Sequence, residues 1–247
     1  ADGINGGNGG NININYRDPA GATFVVGNTS VGSYVNGNIH ADAPGTGVGG
    51  NITFTNANGV GVNVGNIVIE LQGPTSAISA GSGVAGTANL GNINFNAANS
   101  NVDVHGLNDG DGRLTGFVNS TARDVFINPK EANTTLVAGN VLATTGNAHL
   151  EVSCDDNSRI SVPLGKSVRS TLGEAQHEGH TITIAGLVQG QTNVRLEQDI
   201  LINTGTVNAV NGTLFIDACQ DNGDLSVTIN GLGVFRADNG NIQFNTI

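Results

Sequence analysis

The residues of this chain that could do chemistry lie in a few short segments, and the first is DVHGLNDGDGR. It places Asp103, Asp109 and Asp111 among several glycines. Calcium is bound by carboxylate and carbonyl oxygens on flexible loops, and this segment offers both. The spacing does not match the EF-hand loop, which needs oxygen ligands at alternate positions and a glutamate at the twelfth. We expect a polar hairpin loop, and Ca²⁺ at these aspartates is the only cofactor that the sequence suggests.

A second candidate is EAQHEGH, which contains Glu174, His177, Glu178 and His180. Two histidines with flanking carboxylates could bind zinc or copper. The zincin helix spaces its histidines four apart with a glutamate directly after the first, whereas here the spacing is three and a glycine intervenes. A solvated loop is the better interpretation. The chain also lacks a Gly-x-Ser-x-Gly elbow, a P-loop and a dinucleotide fingerprint, so we predict no catalytic residues and no enzymatic activity.

The two cysteines lie at equivalent places in two similar segments, EVSCDDNSRISV and IDACQDNGDLSV. We predict a disulfide between Cys154 and Cys219, which requires Cα atoms roughly 4.4 to 6.8 Å apart. Two similar hairpins lying side by side would satisfy that distance. In a solenoid with coils of about 20 residues, the cysteines would lie about three coils apart, and any bond would have to join two chains.

Composition excludes several classes of protein. Glycine, with 38 residues, and abundant asparagine disfavour helices. The net charge of −11 and only 9 basic residues argue against nucleic-acid binding. No apolar run reaches the roughly 18 residues that a membrane-spanning helix needs.

Several features predict export. The chain contains no methionine, and Ala1 is the kind of residue left by signal-peptide removal. Five Asn-x-Ser/Thr sequons predict a glycoprotein that is secreted or held at the cell surface. The candidate glycosylation sites are Asn28, Asn51, Asn119, Asn133 and Asn211.

The phrase Gly-Asn-Ile begins at Gly10, Gly50 and Gly91, which indicates repeats of about 40 residues. In the C-terminal part, short alternating runs are separated by Asn-Gly, a strong hairpin signal. These turns predict an all-β fold, an antiparallel meander or sandwich, with a β-solenoid as the alternative. We divide the chain into a leader with a strand that could be donated to a neighbour (1–16), Gly/Asn-rich repeats (17–132) and a β region with the duplicated cysteine segment (133–247).

Repetitive strands of low charge, including NIQFNTI and GGNININY, resemble the self-assembling β-rich fibre, sheath and surface-layer proteins of archaea and bacteria. The resemblance implies a non-enzymatic extracellular structural protein whose partners are copies of itself, joined by strand pairing. Surface glycans are a second kind of partner that such a protein could bind. The alternative is a monomeric adhesin or a β-helical protein that binds or degrades polysaccharides, although aromatics of only 4% count against it. An ice-binding solenoid would need flat Thr-x-Thr ladders, and the segment TIT at Thr181 occurs only once.

Overall fold

A computed structural model describes residues 1–17, 23–27, 33–56, 66–73, 76–97, 100–219 and 225–245. This part of the chain is all-β and contains no helix. Neighbouring strands pair in parallel and in register, as in a parallel β-helix. The predicted antiparallel meander or sandwich is therefore wrong, and the arrangement is that of the solenoid alternative.

The chain forms two compact units. The first, unit 1, contains Ala1–Ala122 and Pro129–Glu131, and the second, unit 2, contains Arg123–Asn128 and Ala132–Ile247. Each unit is built from coils that visit successive sheets in turn.

Unit 1 contains eleven strands within its described residues: β1 (Asn11–Tyr16), β2 (Phe24–Gly27), β3 (Ser33–Asn36), β4 (Ile39–His40), β5 (Asn51–Asn56), β6 (Ile67–Gln72), β7 (Ala77–Ser79), β8 (Asn92–Ala97), β9 (Val102–Gly106), β10 (Arg113–Thr115) and β11 (Phe117–Ala122). One ladder runs β1-β5-β8-β11, a second runs β3-β2-β6-β9, and a third runs β4-β7-β10. A full coil therefore contains a strand from each ladder, and the Gly-Asn-Ile phrase opens each of the first three coils.

The apolar residues of the phrase form the core of unit 1. Alternation along β5 and β8 points Ile52, Phe54, Ile93 and Phe95 inward, where all four are fully buried. In-register pairing places Phe54 on Phe95, with ring centroids 5.5 Å apart. Tyr16 and Phe24 extend this aromatic cluster in the interior of unit 1.

The glycine of the phrase is fixed by close approach between coils. A Cβ built on Gly50 would lie 1.9 Å from the carbonyl oxygen of Gly10, and a Cβ on Gly91 would lie 1.9 Å from that of Gly50. Both obstacles are backbone atoms, which cannot rotate away. The repeated glycine therefore sets how closely successive coils of unit 1 can stack.

The asparagine of the phrase forms a ladder of side-chain amides. Asn51 Nδ2 donates to Asn11 Oδ1 at 3.0 Å, and Asn92 Nδ2 donates to Asn51 Oδ1 at 2.9 Å. Asn119 Nδ2 extends the row with a bond of 3.2 Å to Asn92 Oδ1. Stacked amides of this kind are typical of in-register parallel strands. Gly-Asn-Ile is thus a stacking unit in which glycine allows contact, asparagine links the coils and isoleucine fills the core.

Unit 2 contains the remaining described strands: β12 (Val125–Asn128), β13 (Thr135–Ala143), β14 (Ala148–Glu151), β15 (Arg159–Val162), β16 (Ser167–Ser170), β17 (Ala175–Glu178), β18 (Thr181–Ile184), β19 (Leu187–Gly190), β20 (Val194–Glu197), β21 (Ile200–Asn203), β22 (Thr206–Ala209), β23 (Leu214–Asp217), β24 (Ser226–Ile229), β25 (Val234–Ala237) and β26 (Ile242–Asn245). One ladder runs β12-β14-β17-β20-β23-β26. The long strand β13 begins two others, β13-β15-β18-β21-β24 and β13-β16-β19-β22-β25.

The Asn-Gly turns in the described part of unit 2 join strands of different ladders and do not close hairpins. The sequence predicted that Asn230-Gly231 would pair Val227 with Val234, but Val227 pairs with Leu201 and Val234 with Thr206 in the preceding coil. The local chemistry is as expected, since Gly231 has a φ of +59°. The turn directs the chain onto the next ladder, so a conformation suited to a hairpin is used here in a parallel fold.

The structure has a disulfide between Cys154 and Cys219, with Cα atoms 5.9 Å apart. The expectation that a solenoid would force this bond between chains is wrong. Two coils separate the cysteine-bearing coils, and their corresponding corners are short: only Gly179 and His180 join β17 to β18, for example. Cys154 lies in the longer segment after β14 and Cys219 lies two residues after the end of β23, so the bond joins them past those corners.

Candidate functional site

A polar groove follows the sheet formed by β4, β7 and β10 in unit 1. It has a volume of about 580 Å³ and is open to solvent. In-register pairing places His40, Ser79 and Thr115 in one outward-facing row across the three strands. Asp42 and Arg113 also line the groove. The groove therefore combines an imidazole, hydroxyls, a carboxylate and a guanidinium on a rigid sheet.

Asp42 is the centre of the hydrogen bonds in this groove. Its Oδ2 lies 2.9 Å from His40 Nδ1, and its Oδ1 accepts from Ser79 Oγ at 2.5 Å and from Gly81 N at 2.6 Å. Burial opposes its charge, but the bonds from Ser79, His40 and Gly81 outweigh burial and lower the pKa of Asp42. Ser79 donates to the carboxylate and not to the imidazole, so the arrangement lacks the serine–histidine bond of an activated nucleophile. The groove thus presents a fixed set of polar side chains to solvent.

The structure does not bring the three predicted calcium ligands together. Asp103 lies on β9, where its Oδ1 is 2.7 Å from His105 Nδ1. Asp111 is buried in the loop before β10, and its Oδ2 accepts from the backbone and side-chain nitrogens of Asn108. Asp109 is exposed in the same loop. Calcium binding at these residues stays a prediction.

His105 lies between two carboxylates of unit 1. Its Nε2 is 4.0 Å from Glu70 Oε2, opposite the contact with Asp103. The hydrogen bond to Asp103 raises the pKa of His105, because both neighbours favour the charged ring. The two carboxylates therefore favour the protonated form of His105.

The EAQHEGH segment is a strand and a corner, so the prediction of a solvated loop is wrong. Alternation along β17 points His177 into the core and Glu178 outward. His180 lies in the corner, with Nδ1 2.9 Å from Asp199 Oδ2, and Glu174 lies 3.5 Å from Arg195 Nε. The His-x-x-His pattern therefore gives no shared site, because its two histidines face different surroundings.

His177 makes the stability of unit 2 sensitive to acid. Leu150 and Leu196 flank it in register on the neighbouring coils. Burial lowers its pKa from 6.5 to about 4, with His149 adding to the shift and a bond to the Gln176 backbone opposing it. Below pH 6.5 the unfolded chain takes up a proton that the folded chain does not, so this contribution to stability is lost as the pH falls toward 4.

Between pH 6.5 and about pH 5, we expect the native chain to lose about 2 kcal/mol more unfolding free energy than the His177→Leu variant loses. Urea unfolding at the two pH values, with a chelator present, measures the difference. His180→Gln, in the adjacent corner, is the matched control. An identical pH dependence for His177→Leu and the native chain would contradict the assignment.

Four of the five sequons lie in the described residues, and Asn28 lies outside them. Asn51 and Asn119 use their Nδ2 atoms, to which a glycan would be attached, in the amide ladder. Asn133 and Asn211 instead accept hydrogen bonds through Oδ1, from Asn157 and Asn239. Glycosylation remains a prediction, and the structure favours Asn133 and Asn211 among these four as its sites.

An acidic column on the outward face of unit 2 was not recognised in the sequence. Pairing in register stacks Glu151 on Glu178, Glu178 on Glu197 and Glu197 on Asp217, with one carboxylate on each coil. The available signal was the final acidic residue in AHLE, AQHE, VRLE and LFID. The repeat of these four segments is not obvious in the sequence because their first residues, Ala148, Ala175, Val194 and Leu214, are unevenly spaced.

Arg195 balances one end of the acidic column. Its guanidinium lies 3.0 Å from Asp217 and 3.5 Å from both Glu197 and Glu174, with its Cζ 4.5 Å from the centre of the Phe215 ring. At the other end, burial together with Glu151 and Glu197 raises the pKa of Glu178 to about 7. Burial also raises the pKa of Glu197, against the effect of Arg195. The two ends of the column therefore differ in their electrostatic environment.

Comparison with known proteins adds no family. No protein-family model, curated protein or solved structure matches this chain. Within the described residues, no helix has the length and apolar character required to cross a membrane.

Proposed function

We propose that this chain is a non-enzymatic structural protein of the cell exterior that self-associates by stacking coils, the last coil of one copy on the first coil of another. The observation that carries the proposal is the open apolar coil formed by β24, β25 and β26. The disulfide is compatible with an extracellular location.

The last coil exposes side chains that the preceding coil buries. Ile242 and Phe244 pair in register with Leu214 and Ile216. Leu214 and Ile216 are 0% exposed, whereas Ile242 is 41% and Phe244 is 54% exposed. Ile229 adds a further exposed apolar side chain on β24. The inward positions of this coil would be covered by one more coil of the same kind.

The edges of this coil are also available for pairing. Within the described residues, no strand pairs with the outer edges of β24, β25 and β26. Natural proteins protect such edges with lysine, proline or inward-pointing charge. The coil has none of these: its charged side chains, Arg236 and Asp238, pair with each other. The edge can therefore accept another strand by β-augmentation.

The first coil offers a complementary surface. Strand β1 carries no charged residue, and its inward residues Ile12 and Ile14 are only partly buried, although Ile52 and Phe54, their partners on β5, are fully buried. No described strand lies on the outer edge of β1. A contact between the first coil of one copy and the last coil of another is heterologous, and contacts of this type propagate into filaments unless they close into a ring.

The polar groove of unit 1 ranks lower as a basis for function. A polysaccharide-binding groove normally presents aromatic rings as stacking platforms, and no Phe, Tyr or Trp is among the residues lining this groove. The groove is compatible with a surface partner that carries hydroxyl or carboxylate groups, but it does not define one.

The test of self-association is a concentration series by sedimentation velocity, with electron microscopy of the largest species. We expect the native chain to form species larger than the 24.9 kDa monomer, and Phe244→Lys to reduce them strongly by placing a charge in the stacking surface. Phe244 is half-exposed, so the variant should retain the native circular dichroism spectrum.

Gln243→Lys is the matched control, because Gln243 lies on the same strand and faces outward. It adds the same charge outside the stacking surface and should associate like the native chain. A native chain that stays monomeric at every concentration, or a Phe244→Lys variant that assembles normally, would overturn the proposal.

A further inference from the structure

We propose that His149, Glu151 and Glu178 of unit 2 bind a divalent transition-metal ion, with zinc as the best fit. His149 and Glu151 are two residues apart on β14 and share its outward face. Glu178 pairs directly with Glu151 from the neighbouring strand β17. The potential ligand atoms of the three side chains all lie within 4.8 Å of one another.

His149 is prepared to act as a ligand. Its Nε2 is shielded from solvent and has no hydrogen-bond partner among the described residues. The ring packs edge-on against Phe126, with centroids 5.0 Å apart, which restricts its orientation. Imidazole nitrogens are the commonest metal ligands among protein side chains. The imidazole is therefore held in one orientation, with a shielded nitrogen that could coordinate a metal ion.

Glu178 lies among other carboxylates of the column. Neighbouring strands are about 4.8 Å apart, so acidic side chains stacked in register repel one another. Arg195 forms ion pairs with Glu174, Glu197 and Asp217. Within the described residues, Glu178 forms no ion pair with a lysine or arginine. A cation between Glu151 and Glu178 would offset both the repulsion and the burial that disfavour the charged form of Glu178.

The ligand set selects the class of ion. Imidazole with carboxylates suits zinc and its first-row neighbours, whereas calcium and magnesium prefer all-oxygen sites. Ligands about 2.1 Å from a tetrahedral zinc lie about 3.4 Å apart. His149 Nε2 is already 3.5 Å from Glu151 Oε2, so rotation of the two glutamate side chains is the main adjustment required. Three protein ligands leave a fourth position for water.

Unit 1 supplies a matched contrast. His105 also lies beside an acidic residue two positions away and a glutamate on the neighbouring strand. Its ring nitrogens, however, face carboxylates on opposite sides, which favours a protonated ring with no lone pair for a metal. The same residue types therefore form an ion pair in unit 1 and a metal-ligand set in unit 2.

The test is titration of the chelator-stripped full chain with Zn²⁺ and Co²⁺ under non-reducing conditions. The disulfide must stay intact because Cys154 Sγ is 3.9 Å from Glu178 Oε1, and free thiolates would add ligands. We expect one ion per chain by calorimetry, with a Co²⁺ absorption spectrum typical of nitrogen and oxygen ligands. His149→Gln and Glu178→Gln should each weaken binding by at least the roughly 10-fold that follows loss of a supporting partner.

His105→Gln is the control and should bind zinc as the native chain does. Histidine proton signals give a second readout, in which zinc shifts the His149 ring and leaves the His105 ring unchanged. The absence of binding by the native chain, or equal binding by His149→Gln, would overturn the proposal. Because the readout is metal binding by each chain, its outcome is independent of whether the chains assemble.

Discussion

Replacement of both Cys154 and Cys219 by serine is expected to lower the free energy of unfolding by about 4 kcal/mol, the chain-entropy value for a closed loop of this length. The bond closes a segment of 65 residues. It also links the segment after β14 to the residues that follow β23, across the corners of the two coils between them. Loss of the bond should therefore affect the outer side of these corners first.

Urea unfolding of the native chain and the double variant measures this effect. Reduction of the native chain should produce the same loss of unfolding free energy as the double substitution, since both remove only the bond. Hydrogen exchange should rise in residues 152–158 more than in the β14 and β17 strands. A double variant as stable as the oxidised native chain would show that the bond adds nothing to the coil contacts.

Gly50→Ala is expected to destabilise unit 1 by about 3 kcal/mol or more, at or beyond the upper end of ordinary overpacking in a core. The new Cβ would meet the Gly10 carbonyl oxygen at 1.9 Å, and relief requires two coils to separate. Separation would also lengthen the hydrogen bond between the side-chain amides of Asn51 and Asn11. Chemical denaturation followed by circular dichroism measures the loss.

Gly10→Ala provides the control within the same phrase. Gly10 lies in the first coil, where the nearest atoms to a new Cβ belong to Ala1 at 3.2 Å. That variant should be close to the native chain in stability, whereas Gly91→Ala should resemble Gly50→Ala. Equal effects at Gly10 and Gly50 would mean that chain entropy, and not contact between coils, explains the repeated glycine.

Composition and alternation were sufficient to predict an all-β chain with repeats. They could not predict the direction of strand pairing. Asn230-Gly231 adopts the positive φ that its sequence requires, yet this local geometry is compatible with a hairpin and with a corner of a coil. The choice is made by packing over whole coils, because Val227 pairs with the buried Leu201 and Phe235 pairs with the buried Val207 of the preceding coil. The turn conformation depends on the turn residues alone, whereas the direction of strand pairing depends on how successive coils pack against one another.

The candidate metal site was beyond prediction for a related reason. His149 and Glu151 are two positions apart on one strand, whereas Glu178 comes near them only because β14 and β17 pair in register. The sequence drew attention instead to His177 and His180, which are close along the chain and separate in space. Coils of unequal length conceal this register in the sequence. A longer corner changes the number of residues between equivalent strands, but the strands still pair in register in the structure.

The amide ladder of unit 1 has a chemical direction. Each asparagine side chain donates to the one in the coil before it, from Asn92 to Asn51 and from Asn51 to Asn11. Asn239 donates to Asn211 in the same sense in unit 2. A row built this way ends in a donor on one side and an acceptor on the other. For the proposed self-association, this polarity predicts that copies add in one orientation and that the two ends of an assembly grow at different rates.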